Sequence, residues 1–378
     1  MRAYCNNIIY LLFSWSLCGC LRVAEDRAIL EERIGQAEYE GLRFLVDEGA
    51  SSIRSVHQED DLLIIDLWAQ RPKQSLRIDP AGLKTRPPKL RVVWHNLMDA
   101  SIITLKSEGG SELPITKLNQ AFAPLTQFEL EFPLSTVPLI LSITPPNLED
   151  NELIVGVFAD VQERLDGLPD LLIPLGKEPI HFCLISGDLT SQGTVLELKE
   201  FQAGLERYLP FPCYATLGNH ELGTSGPPFH ALFGKGNGSF EYGGVRITLL
   251  DDASATLAPR THKKLKKWLS LGRDQLHVIV THLPILDVDG TRSGAFASRL
   301  EAIELLAALS EGEVDLLLYG HVHTYKSFKQ SGIRALISGG GGSIPMRFDG
   351  IGRHYLVIDF NPVTQQFSHR VQEISPEE

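Results

Sequence analysis

The stretch Cys213-Tyr214-Ala215-Thr216-Leu217-Gly218-Asn219-His220-Glu221 decides the fold of this chain. An apolar run of strand length passes here through a glycine directly into polar side chains. Four other apolar runs also end in polar side chains, two of them through a glycine (Gly187 and Gly320): 154–159 leads into Asp160 and Gln162, 180–186 into Asp188, 277–281 into His282, and 314–319 into His321 and His323. Because amphipathic helices separate these runs, we predict an α/β layer fold. Its polar residues should meet at the carboxyl ends of the strands, where such folds bind ligands.

The segments between the runs carry helix and hairpin signals. Thr194 and Glu197 form a capping-box pattern before a helix whose apolar residues share one face. Two further helices and two hairpins are predicted: the helices over residues 260–271 and 298–309, the hairpins over residues 239–250 and 326–337.

The segment 41–146 has a different pattern. Short runs rich in β-branched and aromatic residues alternate with turn clusters such as Arg86-Pro87-Pro88, and helical stretches are absent from the pattern. We therefore predict an antiparallel, immunoglobulin-like β-sandwich of about seven strands. It contains no recognisable site, and the polar residues 145–151 are predicted to link it to an α/β domain over residues 152–373.

The amino terminus has the layout of an export signal. A mostly apolar run over residues 8–17 is about half as long as a membrane-spanning helix requires. The sequence Leu17-Cys18-Gly19-Cys20 that follows resembles the lipobox of bacterial lipoproteins, which implies removal of residues 1–19 and lipidation of Cys20. A plain secretory signal or an uncleaved anchor is the alternative. Residues 20–40 are then a tether or a short surface helix, and the lipobox resemblance implies an anchor in a bacterial membrane, the outer one by preference because Leu21 follows Cys20.

Composition narrows the range of functions. The 378 residues carry a formal net charge of −12, which disfavours a basic footprint for nucleic acid. If the ligand is anionic, local charge must attract it, and bound metal ions are the obvious source. Cys183 and Cys213 lie in apolar runs, where buried thiols are the simpler interpretation and a disulfide stays open.

The five polar blocks, in this order, resemble the calcineurin-like metallophosphoesterase family. Its pattern is D-x-H, G-D, G-N-H-[DE], a lone His and G-H-x-H, and the Gly218–Glu221 block alone should arise by chance at about one in a hundred thousand positions. The resemblance implies a four-layer α-β-β-α fold and sites for two divalent metal ions. The ligands that it implies are Asp160, Gln162, Asp188 and His323 for one ion, and Asp188, Asn219, His282 and His321 for the other.

The chemistry of such a site is hydrolysis of a phosphate ester. Two divalent ions clamp a phosphoryl group and activate a water, and mixed nitrogen and oxygen ligands suit Mn, Fe, Zn or similar ions. The resemblance makes His220 the residue beside the scissile phosphate that does not bind metal, and it is placed to act as a general acid. Monoesters, diesters and pyrophosphates all remain possible substrates.

Two residues depart from family patterns. Gln162 replaces the usual His of the first block, and its amide oxygen is a weaker and harder donor than imidazole. Ser191 stands where purple acid phosphatases have a tyrosine, which argues against an iron-phenolate enzyme. The alternative function is a catalytically impaired lipoprotein whose sandwich binds envelope components and whose metal domain is a scaffold.

Overall fold

The computed structural model describes residues 23–374, apart from 83–88, 119–125, 149, 224–226, 289, 291–293 and 347–349. Cys20 and the signal segment therefore lie outside the described residues. A short helix, α1 (23–31), opens the described chain. Ten strands follow it: β1 (Gln36–Tyr39), β2 (Leu42–Val46), β3 (Ser51–Glu59), β4 (Leu62–Ala69), β5 (Gln74–Asp79), β6 (Lys89–His95), β7 (Ile102–Ser107), β8 (Thr116–Leu118), β9 (Phe128–Phe132) and β10 (Leu139–Thr144).

These strands form the predicted β-sandwich. One sheet has the order β1-β2-β5-β10-β7 and the other β3-β4-β6-β9-β8. Strands such as β5 and β10 alternate buried and half-exposed residues, so one face of each sheet packs into a shared apolar core around Trp94 and Phe132. The structure differs from the prediction in two respects: it has ten strands, the first starting at Gln36, and β4 pairs with β6 in parallel.

The remainder of the described chain is a four-layer α-β-β-α sandwich, as predicted. Its two sheets have the orders β13-β12-β11-β20-β21 and β14-β15-β16-β17-β19-β18. Their bounds are β11 (Leu153–Phe158), β12 (Phe182–Ser186), β13 (Cys213–Thr216), β14 (Gly238–Tyr242), β15 (Val245–Leu249), β16 (Leu276–Val280), β17 (Leu316–Tyr319), β18 (Tyr325–Gln330), β19 (Ile333–Ser338), β20 (His354–Asn361) and β21 (Gln366–Glu373). The helices are α2 (Leu168–Leu175), α3 (Val195–Tyr208), α4 (Phe229–Leu232), α5 (Pro259–Gly272) and α6 (Arg299–Glu311).

Three apolar cores separate the layers. The two sheets pack face to face through residues such as Val155 and Val278. Helices α2 and α3 cover the outer face of the first sheet, and α5 and α6 cover that of the second. The predicted strands match the observed ones to within two residues at each end, and the capping box of Thr194 and Glu197 is present at the start of α3.

Helix α1 is anchored mainly by charged residues, beside a small apolar contact of Ala24 and Ala28 with Ala258. Arg27 is 3% exposed, and its guanidinium donates to both carboxylate oxygens of Asp251 at 2.7 and 2.8 Å. Glu31, which is fully buried, accepts hydrogen bonds from the backbone N–H groups of Gly236 and Asn237. The larger apolar residue Ile29, by contrast, is 38% exposed and lies on the solvent side of the helix.

The β-sandwich packs directly on the α/β domain. The Asn96 side chain bonds the backbone of Cys213 as both donor and acceptor, and the Trp68 and Phe233 rings contact edge to face. Cys213 and Cys183 are free buried thiols on neighbouring strands. In the described part of the chain, no helix is both long and apolar enough to cross a membrane.

Candidate metal centre

The predicted site residues come together where five strands end. β11, β12 and β13 deliver Asp160, Asp188 and Asn219 from the first sheet, and β16 and β17 deliver His282 and His321 from the second. Four of the residues aimed at this site have left-handed backbone conformations, which non-glycine residues rarely adopt: Asp160 (φ 61°), Gln162 (φ 47°), Asp188 (φ 53°) and His321 (φ 66°).

Asp188 lies at the centre of the group and is 1% exposed. Its Oδ2 lies 3.2 Å from His282 Nε2 and 3.9 Å from His220 Nε2, and it accepts a hydrogen bond from Gln162 Nε2 at 2.8 Å. Its Oδ1 accepts from the backbone N–H of His220 at 2.9 Å. The Asp188 carboxylate thus faces both predicted metal-binding groups, as a bridging ligand must.

The second predicted set of metal ligands, which consists of Asp188, Asn219, His282 and His321, surrounds His282. The His282 Nε2 lies 3.0 Å from Asn219 Oδ1, and the His321 ring packs edge-on against the His282 ring with centroids 5.1 Å apart. Ligand atoms of Asp188, His282 and His321 all lie within 4.8 Å of one another. This spacing fits shared coordination of one ion.

The first predicted set of metal ligands, which consists of Asp160, Gln162, Asp188 and His323, surrounds Asp160. Asp160 is fully buried. Its Oδ1 lies 3.5 Å from His323 Nε2, while its Oδ2 accepts from the backbone N–H of His321 at 2.8 Å. Gln162 Nε2 lies 3.3 Å from the same His323 nitrogen. His323 thus contacts both Asp160 and Gln162, and Gln162 in turn contacts Asp188.

Backbone carbonyl groups orient three of the histidines. The Nδ1 atoms of His220, His282 and His323 lie 2.6, 2.7 and 2.9 Å from the carbonyl oxygens of Ser191, Ser186 and Ile344. Since a carbonyl oxygen only accepts, each Nδ1 carries the proton and donates it. Each Nε2 is thereby left facing the site, which is the arrangement of metal-binding histidines held by outer partners.

The electrostatics of the group favour a cation. The Nε2 lone pair of neutral His282 points at two acceptor oxygens, on Asp188 and Asn219, so a positive species must sit among them. Burial lowers the pKa of His282, but Asp188 outweighs it and raises that pKa to about 10. Burial likewise raises the pKa of Asp188, and the positive charge on His282 and His220 brings it well below 3.8. A divalent ion would supply the charge that a proton supplies here, so the residues fit the implied metals.

His220 is placed differently from the predicted ligands. Its side chain is 35% exposed, whereas the side chains of His282 and His323 are buried. Its Nε2 is on the open side of Asp188, outside the close contacts that join the ligand atoms. This position suits a group that meets the substrate.

Two carboxylates with supporting roles were not assigned from the sequence. Glu221 is fully buried and accepts from the backbone N–H groups of Asp188, Gly218 and Thr190 at 2.8–3.2 Å, so it ties together two strand-end loops. Asp252 accepts from the backbone N–H groups of His282 and Leu283. Burial raises the pKa of Glu221 to about 8 and that of Asp252 to about 7. Glu221 is the last residue of the Gly-Asn-His-Glu block, so the sequence motif already included it. Only the fold shows that its carboxylate binds backbone N–H groups of two loops.

Gln162 has a further partner in Ser343. The Gln162 Oε1 accepts a hydrogen bond from Ser343 Oγ at 2.8 Å, and Ser343 is 2% exposed. The Ser343 hydroxyl can both donate and accept a hydrogen bond. If the Gln162 amide rotates by 180°, its nitrogen donates to Ser343 Oγ and its oxygen faces the site, where it can bind a cation. Ser343 directly follows the glycine run Gly339–Gly342.

Comparison with known proteins agrees with this site. A family model described as Calcineurin-like phosphoesterase matches residues 153–325, which include every predicted metal ligand. Residues 153–325 therefore resemble a calcineurin-like phosphoesterase domain, and the predicted fold class is confirmed. This family uses divalent metal ions, and the match supports a metal-dependent phosphohydrolase. No curated protein matches the sequence of this chain.

Several solved structures resemble the chain in fold. Purple acid phosphatase PPD1 from yellow lupin (Lupinus luteus) has a TM-score of 0.52 at 13% identity, over 89% of this chain and 88% of that one. PhoD has a TM-score of 0.48 at 11% identity, over 80% and 88% of the two chains. A dimetal phosphatase from Danio rerio has a TM-score of 0.45 at 14% identity, over 59% and 99%. Such identities show likeness of fold alone, so the expectation from Ser191 that this is not a purple enzyme stays a prediction.

Proposed function

We propose that this protein hydrolyses phosphate esters with two divalent metal ions bound side by side. The observation that carries the proposal is the position of Asp188, whose one carboxylate contacts ligand candidates of both groups. Asp160, Gln162 and His323 complete one metal site, and Asn219, His282 and His321 complete the other. When bound, the ions would neutralise the phosphoryl oxygens and lower the pKa of the attacking water.

The protein's own residues then hold the reactants and move one proton. The Ser191 carbonyl oxygen fixes the His220 ring through Nδ1, so that Nε2 faces the open side of the site. In its protonated form His220 gives the Nε2 proton to the leaving oxygen as the P–O bond breaks. Glu221 and Asp252 keep the loops of Asp188 and His282 in place through backbone hydrogen bonds.

The test of this proposal uses an aryl phosphate monoester and the corresponding bis-aryl diester. The mature protein should hydrolyse at least one of them, lose activity after chelation, and regain it with Mn²⁺ or a related ion. Full turnover of the metal-stripped protein in excess chelator would refute a metal mechanism. The ratio of rates for the two esters assigns the protein as a monoesterase or a diesterase.

Two variants separate metal binding from proton transfer. Asp188→Asn should lose both metal and activity, because it removes the charge that both sites share. His220→Ala should keep the metal content of the parent protein and lose rate by about a hundredfold or more. Metal analysis of each purified variant beside its kcat decides the assignment, and loss of metal from His220→Ala would make His220 a ligand instead.

We further propose that the protein works in a bacterial cell envelope, anchored by a lipid on Cys20. The Leu17-Cys18-Gly19-Cys20 sequence supports this location. Cys20→Ala should leave an unprocessed precursor or release the protein from membranes. Mass spectrometry of the native protein provides the check, since an intact Met1 terminus or a cleaved terminus without lipid would contradict the anchor.

A further inference from the structure

A cationic cavity lies between the β-sandwich and the phosphoesterase domain, and none of the predicted metal ligands lines it. Its volume is about 220 Å³. The sandwich contributes Glu48 and Arg71 to its wall, the loop before β14 contributes Lys235, and helix α5 contributes Lys264, Lys267 and Trp268. Both domains are therefore needed to form it.

The charge of this cavity is opposite to that of the protein. Four basic side chains and one carboxylate line it, in a chain whose formal net charge is −12. The carboxylate belongs to Glu48, and it pairs with Arg71 at 2.8 Å. This leaves three lysines in excess, and none of them forms an ion pair with a carboxylate in the described part of the chain.

The lysines are held close together by the fold. Lys235 is half-buried and donates from Nζ to the backbone carbonyl of Glu48 at 2.9 Å, which fixes its position in the wall. Burial lowers the pKa of Lys235, and the nearby charges of Lys264 and Arg71 lower it further, while Glu31 and Glu48 oppose them. Such repulsion in a concave site is relieved when an anion binds.

Helix α5 directs part of its lysine run into the cavity. Lys264, which is half-buried, and Lys267, which is exposed, are three residues apart and line the cavity beside Trp268, whereas Lys263 and Lys266 do not line it. The Trp268 ring adds an apolar surface beside the charges, which suits a ligand with a ring or chain next to its anionic group.

We infer that this cavity is a binding site for a phosphate-bearing ligand, separate from the metal centre. The phosphate group pairs with Lys264, Lys267 and Lys235, and the rest of the ligand lies along Trp268. A soluble phosphorylated metabolite and a phospholipid headgroup share this chemistry.

The experiment measures binding of inorganic pyrophosphate and of glucose 6-phosphate to the metal-free full chain, so that the metal centre does not contribute. Trp268 is the reporter, because it is half-buried while Trp68 and Trp94 are 2% and 0% exposed, and any contribution of Trp15 is read from the Trp268→Phe variant. Lys264→Ala and Lys267→Ala should each weaken binding by about tenfold, since each removes a charged hydrogen bond. The matched variants Lys263→Ala and Lys266→Ala should bind as the parent protein does, and Trp268→Phe should lose the fluorescence change but keep binding by calorimetry.

A second arm uses vesicles of phosphatidylcholine with and without phosphatidylglycerol. Vesicle binding that Lys264→Ala and Lys267→Ala abolish identifies a lipid headgroup, and binding of the soluble phosphates alone identifies a metabolite. The inference is overturned if neither probe binds, or if all four lysine variants weaken binding equally, as general charge attraction would. Hydrolysis of the aryl esters by these variants, assayed with metal, reports separately on the proposed function.

Discussion

Four residues at the metal centre hold backbone conformations that cost free energy, about 1 kcal/mol or more each. Asp160, Gln162, Asp188 and His321 all have positive φ, and each sits at the sharp turn after a buried strand. Backbone hydrogen bonds from neighbouring loops offset this cost, as at Asp160, whose N–H and C=O bond Gly187 and Ser343. The backbone thus places the ligand atoms before any ion binds, and substitution by a β-branched residue at these positions would add to the strain.

The first prediction concerns Gln162, whose amide contacts Asp188, His323 and Ser343. If Oε1 ligates the ion of the first site, Gln162→Ala should lower metal affinity there by about tenfold or more, and Gln162→His should raise it and favour softer ions such as Zn²⁺. Metal titration of the three apo proteins measures both effects. The second site, with Asn219 and His321, serves as the internal control.

Equal affinity and stoichiometry in the three proteins would show that Gln162 is not a ligand. The first site would then consist of Asp160, Asp188 and His323 alone.

At the scale of elements, apolar runs predicted the strands of the α/β domain well because both faces of these strands are buried. The carboxyl ends of these strands were marked in the sequence by the polar site residues that follow them. The strands of the β-sandwich were harder to predict from the sequence. Edge strands such as β1 and β8 consist of half-exposed and exposed residues, so they lack a clear apolar pattern. Helix α1 shows a different limit, because the partners of its buried Arg27 and Glu31 lie more than two hundred residues away along the chain.

The second prediction follows from the anchoring of α1. Arg27→Leu leaves the Asp251 carboxylate buried without its partner, so the free energy of unfolding should fall by about 3 kcal/mol. Because Asp251 adjoins Asp252, which bonds the His282 backbone, metal affinity at the second site should fall as well. Urea unfolding and metal titration measure the two effects.

Arg260→Ala is the matched control. Arg260 also joins α5 to α1, through Glu25 and Glu32, but its side chain is 43% exposed. Its loss should cost about 1 kcal/mol or less. Equal losses from the two variants would mean that burial of the Arg27 pair is not what anchors the helix.

At the scale of the whole molecule, a buried histidine joins the two domains. His95, at the end of β6, lies 2.5 Å from Glu206 of α3 and 3.3 Å from Asp66 of β4. Burial lowers the pKa of His95, but the Asp66 and Glu206 carboxylates outweigh burial and raise it above 6.5. The interface therefore holds a proton that the unfolded chain releases at lower pH.

The third prediction is a pH dependence of stability with a definite sign. Because the folded pKa of His95 exceeds 6.5, its contribution is complete below pH 6.5 and is lost as the pH rises through the folded value. The free energy of unfolding, measured from about pH 6 to about pH 9, should fall less steeply in His95→Gln than in the parent protein. His57→Gln, at an exposed position of the same sandwich, should leave the slope unchanged, and an unchanged slope in His95→Gln would refute the prediction.

The described part of helix α1 starts at residue 23, three residues after Cys20, and is fixed to the loop that supports His282. If Cys20 carries the proposed lipid anchor, the three residues from it to residue 23 can span at most about 10 Å. The enzyme would then be held close to the membrane surface. It would sample a thin layer of solution above the bilayer and find its substrates by lateral diffusion more than by capture from bulk. Esters presented at the membrane surface would then be hydrolysed in preference to the same esters free in solution.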